Sequence, residues 1–360
     1  MSNSIPSSAS YEATGQGRRT SVTTRPLLEL NNLSTHYVSA QGARVVRAVD
    51  EVSLRINAGE TLGIVGESGS GKSTLALTIM RILPMAARIV SGQMLFEGED
   101  LLLKSDEEMR HVRGKRIAMI LQDPMASLNP LFTVGDQVGE TLRVHEGASR
   151  ATAWSRAIDL LKAVRIPSPE TRVTQYPHEM SGGMRQRIVG AIGISCEPRL
   201  LIADEPTTSL DLTIQAQYLA LLRDLQREHG LALIFITHNL GIVAKMCDQL
   251  AVMYAGRVVE SGPVSQIFNT PTHPYTEALL NSIPRMSDNR QRLTAIDGQP
   301  PDLSAMPPGC SFAPRCPKAF DRCRVEAPPE FTPDRGRTAR CWLATPNSIT
   351  KNVLIESGAV

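Results

Sequence analysis

The chain has 360 residues, of which 42% are hydrophobic, so it is long enough to bury a sizeable core and to carry additions to one main domain. Its formal net charge is +2, which is too balanced to favour nucleic acid or a lipid surface as the main partner. No apolar run approaches the roughly 20 residues that cross a bilayer, and we therefore expect a soluble or peripheral protein.

The N-terminal segment, residues 1–26, is rich in Ser, Thr and Gly and shows no apolar periodicity. Such a composition predicts a disordered arm, and it contains no hydrophobic segment typical of a secretion signal. We expect the folded part of the chain to begin at about residue 27.

A phosphate-binding loop is predicted between a strand and a helix. Thr61–Val65 is a short apolar run typical of a strand, and Ser73–Leu83 has apolar residues at helical spacing. The sequence between them matches G-x-x-x-x-G-K-[ST], whose glycines let backbone N–H groups face phosphate oxygens and whose lysine neutralises phosphate charge. The predicted binding residues are Gly66, Glu67, Ser68, Gly69, Ser70, Gly71, Lys72, Ser73 and Thr74. A bare glycine-rich stretch is usually only a turn, so the flanking strand and helix favour this assignment; the loop alone does not distinguish ATP from GTP.

A second helix start that favours anions follows at Ser181, Gly182 and Gly183. The residues after it, Met184–Ile194, have helical character, and a helix N-terminus attracts negative charge. One nucleotide does not need two such sites on the same chain.

Two adjacent carboxylates end a predicted buried strand at Leu200–Glu205. Strand alternation sends the side chains of Asp204 and Glu205 in different directions from one point on the sheet edge. Asp204 suits binding of Mg²⁺ through water, with the Ser73 hydroxyl as a direct ligand, and Glu205 suits a general base or a group that positions water at the γ-phosphate. An isolated Asp-Glu pair is more often a helix cap or a turn, but the Lys72 loop upstream favours the catalytic interpretation.

With these three segments the chain resembles the nucleotide-binding subunits of ATP-binding-cassette (ABC) transporters. In that family the signature segment of one subunit closes over the ATP held by the phosphate loop of another. The family signature is usually Leu-Ser-Gly-Gly-Gln, whereas this chain has Met180 and Met184 at the two ends. We expect Met180 to replace Leu in packing, and Met184 removes one side-chain amide contact.

The resemblance implies roles for four further residues. It makes Gln122, after the strand-like Ile117–Leu121, the glutamine that couples the γ-phosphate and Mg²⁺ to the membrane partner. It places Asp211 in the loop that crosses the dimer interface, and it makes His238 the switch histidine at the γ-phosphate. A lone His at a strand end is more often a surface or packing residue, so the role of His238 depends on the resemblance. Tyr37 is the residue implied to stack on adenine.

Three more motifs narrow the resemblance to the dipeptide, oligopeptide and nickel importer group. They are Gln122–Pro130, Tyr176–Glu179 and Thr272–Thr276, and the resemblance covers residues from about 27 to 345. A separate binding protein selects the cargo in such importers. The group therefore implies import of di- or oligopeptides, with nickel or another small solute as the alternative.

The fold implied by the resemblance is α/β, a P-loop NTPase of the ABC type. An ABC ATPase domain is expected over residues 27–285, with an N-terminal antiparallel β-portion and a P-loop core. A helical subdomain at about 123–181 carries the signature and faces the membrane subunits. A small Cys-rich C-terminal domain at 286–345 is expected to pack separately, followed by a tail at 346–360.

The six cysteines are unevenly placed along the chain. Cys196 and Cys247 lie in apolar helical surroundings and are expected to be core thiols. The others lie in a Pro-rich segment that cannot build much regular structure, so we expect a covalent or metal link to hold it together. They are Cys310, Cys316, Cys323 and Cys341.

Three kinds of link are compatible with four thiols. Disulfides are disfavoured because cytoplasmic proteins keep their thiols reduced. Structural zinc sites usually have closely paired cysteines, whereas five, six and seventeen residues intervene here. Four thiolates also suit a [4Fe–4S] cluster, which tolerates wider ligand spacing. Some members of the importer group carry such a cluster in this segment, so the resemblance favours iron–sulfur, with zinc as the alternative.

The mechanism implied is ATP-driven closure of a dimer. ATP and Mg²⁺ bind to the phosphate loop, Gln122 and Asp204, and the Ser-Gly-Gly segment of a partner closes over the γ-phosphate and excludes water. Hydrolysis, positioned by Glu205 and His238, lets the dimer reopen. The implied assembly contains two membrane-spanning permease subunits, a second ATPase subunit, expected to be a paralogue, and an extracytoplasmic solute-binding protein. The chain would then lie at the cytoplasmic face of a prokaryotic inner membrane.

Two other functional classes are less consistent with the sequence. Soluble ABC ATPases of DNA repair carry long coiled coils inside the cassette, and those of the ribosome join two cassettes, whereas here the loop and the signature each occur once. A metal-sensing regulator with an inactive cassette does not explain why Lys72, Asp204, Glu205 and His238 are all intact.

Overall fold

The fold is described from a computed structural model over residues 25–39, 44–208, 210–282, 296–334 and 336–345. The predictions for the N-terminal arm up to residue 24 and for the tail from residue 346 lie outside the described residues.

The strands of the described residues form two sheets. In chain order they are β1 (Leu28–Val38), β2 (Val45–Ile56), β3 (Thr61–Val65), β4 (Ala87–Phe96), β5 (Glu99–Asp100), β6 (Ile117–Ile120), β7 (Leu200–Asp204), β8 (Ala232–Ile236), β9 (Gln249–Tyr254), β10 (Arg257–Pro263) and β11 (Thr338–Ala339). The first sheet is antiparallel, with the order β2-β1-β4-β5. The second has the order β11-β10-β9-β3-β8-β7-β6 and is parallel from β9 to β6.

The helices of the described residues surround the second sheet and form the helical insertion. They are α1 (Lys72–Met80), α2 (Asp106–Val112), α3 (Pro124–Ser127), α4 (Val134–Glu146), α5 (Arg150–Ala163), α6 (Pro169–Arg172), α7 (Gly182–Ile194), α8 (Leu212–His229), α9 (Leu240–Met246), α10 (Val264–Asn269), α11 (Pro274–Asn281) and α12 (Asp321–Val325). Single 3₁₀ turns occur at Leu101–Leu103, Pro177–Glu179, Ala313–Arg315 and Trp342–Ala344. No helix among the described residues is long and apolar enough to span a bilayer.

The antiparallel sheet and the parallel sheet share one hydrophobic core around α1. Apolar residues of β1 and β2 pack with Leu75 and Ile79 of α1 and with Ile64 and Ile234 of the parallel strands. Burial of this kind stabilises the fold by about 25 cal/mol for each Å² of apolar surface removed from water. It also fixes where α1 begins, and therefore where the loop before α1 lies.

The parallel strands place the ends of several loops at one edge of the sheet. β3, β7 and β8 are buried along their whole length, as expected for strands covered on both faces. Ligands of open α/β sheets bind outside the carboxyl ends of such strands. The segments that follow β3, β6, β7 and β8 hold the phosphate loop, Gln122, Glu205 and His238, so the topology brings the predicted site residues to the same edge.

The helical insertion between β6 and α7 packs in one apolar cluster with strands β6 to β8 and with α8. Val138 of α4 and Leu161 of α5 pack with Ile188 of α7 in one cluster. Met180 is buried in the same cluster, as expected for a residue that replaces Leu. Thr133 begins α4 by accepting the N–H of Asp136, a standard N-cap that fixes the start of the helix.

The Cys-rich segment after residue 296 packs directly on the cassette. β11 pairs with β10 and extends the parallel sheet at its edge. Phe312 lies in one core with Val65, Tyr254 and Tyr275, and its ring contacts both tyrosine rings. This shared core differs from the separate packing that the sequence predicts, because so proline-rich a segment obtains its apolar partners from the cassette.

Candidate nucleotide site

The phosphate loop joins β3 to α1, and its glycines are required by close backbone contacts. Gly71 has a φ of 104°, and a Cβ there would lie 2.1 Å from the carbonyl oxygen of Ala48. A Cβ at Gly66 would lie 2.2 Å from the carbonyl oxygen of Met253. Only glycine fits both the left-handed conformation and the available space at Gly71. The loop is therefore held against the neighbouring strands by its backbone.

Lys72 is buried, and its ammonium group lies inside the curve of the loop. Nζ donates hydrogen bonds to the carbonyl oxygens of Gly66 and Glu67, each at 2.9 Å. Burial lowers the pKa of Lys72, while the carboxylates of Glu205, Asp204 and Glu67 act against that fall. A desolvated cation enclosed by a loop of backbone amides is suited to bind the phosphate groups of a nucleotide.

The residues predicted for Mg²⁺ provide a suitable set of oxygen donors. Asp204 is only 6% exposed, and its Oδ1 is buried without a hydrogen-bond partner. Burial raises the pKa of the Asp204 carboxyl, while the side chains of Ser73 and Lys72 act against this rise. A hydroxyl, an amide oxygen and a carboxylate are hard ligands of the kind that Mg²⁺ prefers. Ser73, Gln122 and Asp204 therefore fit the ion, which would draw the nucleotide's phosphate oxygens into the site.

The predicted catalytic side chains converge on one carboxylate oxygen. Oε2 of Glu205 accepts a hydrogen bond from Nε2 of Gln122 at 3.3 Å, and Nδ1 of His238 lies 3.3 Å away. The hydroxyl of Thr208 donates to the same oxygen at 3.0 Å. Glu205 has a φ of 45°, an uncommon conformation for this residue, and its N–H donates to Ile236 of β8. The Glu205 side chain thus contacts residues that follow the neighbouring strands β6 and β8.

Thr208 was not predicted from the sequence. The residue lies three positions after Glu205, in the turn that follows β7. A Ser or Thr hydroxyl three residues after a carboxylate can donate a hydrogen bond to it within one turn. This spacing is the sequence feature from which the contact could have been predicted.

Tyr37 lies beside the first turn of α1. Its hydroxyl shares a hydrogen bond with the Thr74 hydroxyl at 3.4 Å. The structure therefore brings Tyr37 close to the phosphate loop, at the side where β1 packs against α1.

The signature residues lie at a separate opening of the molecule. Ser181 begins α7, and its hydroxyl accepts the N–H of Met184 at 3.3 Å. With Gly182, Gly183 and Asp211, it lines a cavity of about 530 Å³ whose lining contains no residue of the phosphate loop. The two anion-binding segments are therefore not brought together within one chain. Asp211 also begins α8, because its Oδ1 accepts two backbone N–H groups.

The four tail cysteines lie around one small cavity. Cys310, Cys316, Cys323 and Cys341 line it together. Burial raises the pKa of three of these thiols, to about 12 for Cys341. All six cysteines of the chain are free thiols, and Cys196 is buried as predicted. Among the residues that the structure describes, no group of three or more His, Cys, Asp or Glu side chains is arranged to hold a metal ion. The predicted iron–sulfur or zinc site is therefore not supported by this geometry.

Comparison with known families gives two matches along the chain. The model of the ABC transporter family matches residues 49–208, and the model of the oligopeptide/dipeptide transporter C-terminal region matches residues 259–323. The first match contains the phosphate loop, the signature and the two carboxylates, and the second contains three of the four tail cysteines.

Similar proteins cover nearly the whole chain. A probable peptide ABC transporter ATP-binding protein, y4tR of Sinorhizobium fredii, is 51% identical over 318 residues, which are 88% of this chain and 94% of the relative. The oligopeptide transport ATP-binding protein OppD of Haemophilus influenzae is 47% identical over 319 residues, with 89% and 98% covered. The dipeptide transport ATP-binding protein DppD of Bacillus subtilis is 49% identical over 318 residues, with 88% and 94% covered.

A solved structure has the same fold. The dimeric ATP-binding cassette MJ0796, in a post-hydrolysis state bound to ADP and phosphate, superposes with a TM-score of 0.59 and 26% identity. The superposition covers 66% of this chain and 98% of that one.

Proposed function

This chain belongs to the ABC transporter family, among the ATP-binding subunits of oligopeptide and dipeptide transporters, and from that premise we propose how its residues power transport. It hydrolyses ATP, and the energy drives the import of peptides through separate membrane-spanning subunits. The observation that carries the residue assignments is the convergence of Gln122, His238 and Thr208 on Glu205, beside the Lys72 loop.

Each group at the strand edge has a distinct task in this proposal. Lys72 and the loop amides bind the β- and γ-phosphates, while Ser73 and Asp204 hold Mg²⁺. Glu205 accepts a proton from the attacking water or holds that water in line with the γ-phosphate. Gln122 and His238 keep the Glu205 carboxylate oriented, and His238 reaches the γ-phosphate when the site closes. Tyr37 stacks on the adenine ring.

A second ATPase subunit completes the site. The separation of the Ser181 cavity from the phosphate loop supports this proposal, because one chain alone leaves its signature segment without a nucleotide. The helix start at Ser181 then faces the γ-phosphate bound by the partner, and the partner's equivalent segment covers this chain's nucleotide. We expect the partner to be a paralogue. The dimeric state of the related cassette supports a two-subunit arrangement in general.

The membrane partners dock on the helical insertion. Three large apolar side chains stay exposed there: Met125 by 49%, Leu131 by 80% and Phe132 by 54%. Large exposed apolar side chains that lie close together in the sequence are candidates for a protein interface. Since Gln122 lies three residues before Met125 and donates to Glu205, we propose that docking at this face alters the contact between Gln122 and the Glu205 carboxylate. The chain then lies at the cytoplasmic face of the inner membrane, with a solute-binding protein on the other side.

Substitution of Ser181 by Arg tests the shared site. The variant is expected to bind ATP as an isolated chain with nearly unchanged affinity, because Ser181 lies away from the phosphate loop. ATP turnover in the complete complex is expected to fall, since a long side chain occupies the place of the partner's γ-phosphate. Calorimetry on the chain and ATPase assays on the complex measure the two effects.

The matched control for this variant is Ser155→Arg, at an exposed position of α5 in the same insertion and outside that cavity. Full ATPase activity of the Ser181→Arg complex would count against the shared site, provided that both nucleotide sites are shown to turn over.

The tail cysteines carry a second proposal, a [4Fe–4S] cluster held by Cys310, Cys316, Cys323 and Cys341, with Zn²⁺ as the alternative. Its support is that the four thiols line one cavity, although among the described residues they do not form a metal-ligating group. Burial raises the pKa of Cys310, Cys316 and Cys341, so these three thiols stay protonated until a metal replaces the protons. Such a cluster would crosslink a segment that has little regular structure of its own.

Protein purified without oxygen is expected to be brown, with broad absorption near about 400 nm and roughly four irons per chain. Cys323→Ser should lose most of this colour, while Cys196→Ser, a core thiol outside the cavity, should keep it. A colourless preparation with about one zinc per chain would show that the four cysteines bind Zn²⁺ instead of an iron–sulfur cluster. Metal-free protein with four free tail thiols would contradict both forms of the proposal.

A further inference from the structure

The second residue of the phosphate loop, Glu67, is held by the C-terminal part of the chain. Arg315 donates two hydrogen bonds to its carboxylate, from Nη1 to Oε2 at 2.7 Å and from Nη2 to Oε1 at 2.9 Å. The Tyr275 hydroxyl accepts the backbone N–H of Glu67 at 2.9 Å. Both the side chain and the peptide group of one loop residue are therefore fixed by residues more than 200 positions away in sequence.

Arg315 is itself held rigidly. Its side chain is only 4% exposed, and it also donates to the carbonyl oxygens of Asp297 at 2.9 Å and Ile296 at 3.2 Å. Its guanidinium carbon lies 5.8 Å from the ring centre of Tyr254 and 5.9 Å from that of Phe312. A two-bonded arginine–carboxylate pair fixes direction as well as distance, which a single ion contact does not. Glu67 is thus fixed relative to the C-terminal core.

Glu67 also contacts Lys72, the residue proposed to bind phosphate. The Glu67 peptide presents its N–H to Tyr275 and its carbonyl oxygen to Nζ of Lys72. The loop is also packed against the neighbouring strands at Gly66 and Gly71, and the Gly256 N–H donates to the Ser70 carbonyl oxygen at 3.0 Å. Gly69 is less confined, since a Cβ there would meet no atom within 4 Å. A glycine-rich loop has little conformational preference of its own, so external contacts decide how well its amides converge on a ligand.

We propose that Arg315 is a positioning residue for ATP binding, through which the C-terminal segment sets the geometry of the phosphate loop. The proposal rests on the nucleotide site described above and extends it to a residue next to Cys316. It gives the C-terminal segment a role at the ATP site. An arginine that serves only to attach the C-terminal segment would change stability without changing nucleotide affinity, which separates the two explanations.

The test measures the affinity of the full chain for MgATP by calorimetry. Arg315→Gln removes the charge and the paired hydrogen bonds, and we expect the affinity to fall about tenfold because the loop loses preorganisation. Glu67→Gln should cause a similar fall while leaving the C-terminal core untouched. The double variant should bind MgATP no more weakly than the weaker-binding single variant, since both changes remove the same contact.

Arg44→Gln is the matched control. Arg44 forms an ion pair with Asp302 at 2.9 Å and so also joins the C-terminal segment to the cassette. Within the described part of the chain its side-chain hydrogen bonds go to Asp302 and Ser304, not to the phosphate loop. This variant should bind MgATP like the wild type, even where its thermal midpoint is lowered.

Wild-type affinity in both Arg315→Gln and Glu67→Gln would overturn the proposal, as would fully additive losses in the double variant or an equal loss in Arg44→Gln. If Arg315→Gln does not fold, Glu67→Gln alone decides, because the loop residue lies outside the C-terminal core. Lys72→Ala, measured in parallel, distinguishes failure of the nucleotide site from failure of the role of Arg315. If Lys72→Ala keeps its affinity for MgATP, the nucleotide site itself is contradicted. If Lys72→Ala loses affinity while Arg315→Gln binds MgATP like the wild type, only the role of Arg315 is contradicted.

Discussion

Glu205→Gln is expected to lower ATP turnover in the assembled transporter by about 10²–10⁴ while leaving ATP binding intact. Glutamine keeps the shape of the side chain and an oxygen that accepts hydrogen bonds from Thr208 and Gln122, so the local packing is preserved. It has no carboxylate to accept a proton from water. The complex should therefore close on ATP and remain closed.

The measurement is steady-state phosphate release, together with the nucleotide content of the complex after gel filtration. The variant should retain ATP rather than ADP. Glu228→Gln, an exposed carboxylate on α8, is the matched control and should turn over like the wild type. Wild-type turnover by Glu205→Gln would remove Glu205 from the catalytic role.

Lys72→Ala is expected to weaken MgATP binding by about 10–10²-fold and to abolish transport. Hydrogen bonds to a charged group contribute about 1.5–3 kcal/mol, and the phosphate charge is left uncompensated in a poorly hydrated site. The fold should survive because the hydrogen bonds of Nζ to the described residues all stay within the loop, to the carbonyl oxygens of Gly66 and Glu67 and the hydroxyl of Ser70. Calorimetry gives the affinity, and thermal unfolding without nucleotide checks the fold.

Lys162→Ala, at a half-exposed lysine of α5, is the control for loss of one positive charge. Its affinity for MgATP should be unchanged. An unaltered affinity in Lys72→Ala would mean that the loop does not bind phosphate in the way proposed.

The meeting of the candidate site residues at one sheet edge could be predicted from the sequence because each motif is local. The loop before Lys72, the carboxylates at the end of β7 and the histidine after β8 each lie at the carboxyl end of a short buried strand. Parallel strands bring their carboxyl ends to one edge, so separate local motifs meet without any knowledge of the long-range contacts. The structure places Gln122 and His238 against the same oxygen of Glu205, each at 3.3 Å, in agreement with this topology.

The contacts of the C-terminal segment could not be predicted in the same way. Arg315 lies in a Pro-rich stretch without periodicity, and its partner Glu67 is a variable position of the loop motif. The sequence contains no local pattern that pairs residues so far apart. Composition correctly indicated little regular structure after residue 296, but it did not reveal that Phe312 would share a core with Tyr254.

Two other interpretations needed the tertiary structure. Asp211 was assigned to a subunit interface, and the structure adds that its carboxylate caps α8. Loss of Asp211 would therefore disturb the helix start as well as any interface. The four tail cysteines gather as expected of a shared site, although their present arrangement is not that of a metal centre.

Peptide-dependent ATP hydrolysis in proteoliposomes tests the central claim most directly. The chain is reconstituted with its permease subunits, the second ATPase subunit and the solute-binding protein, and phosphate release is measured with and without peptide. ATP hydrolysis should rise with peptide-loaded binding protein, should accompany peptide uptake, and should disappear together with uptake in Glu205→Gln. Hydrolysis that ignores both the peptide and the permeases, or peptide uptake that persists in Glu205→Gln, would contradict the assignment of this chain as the ATPase that powers peptide import.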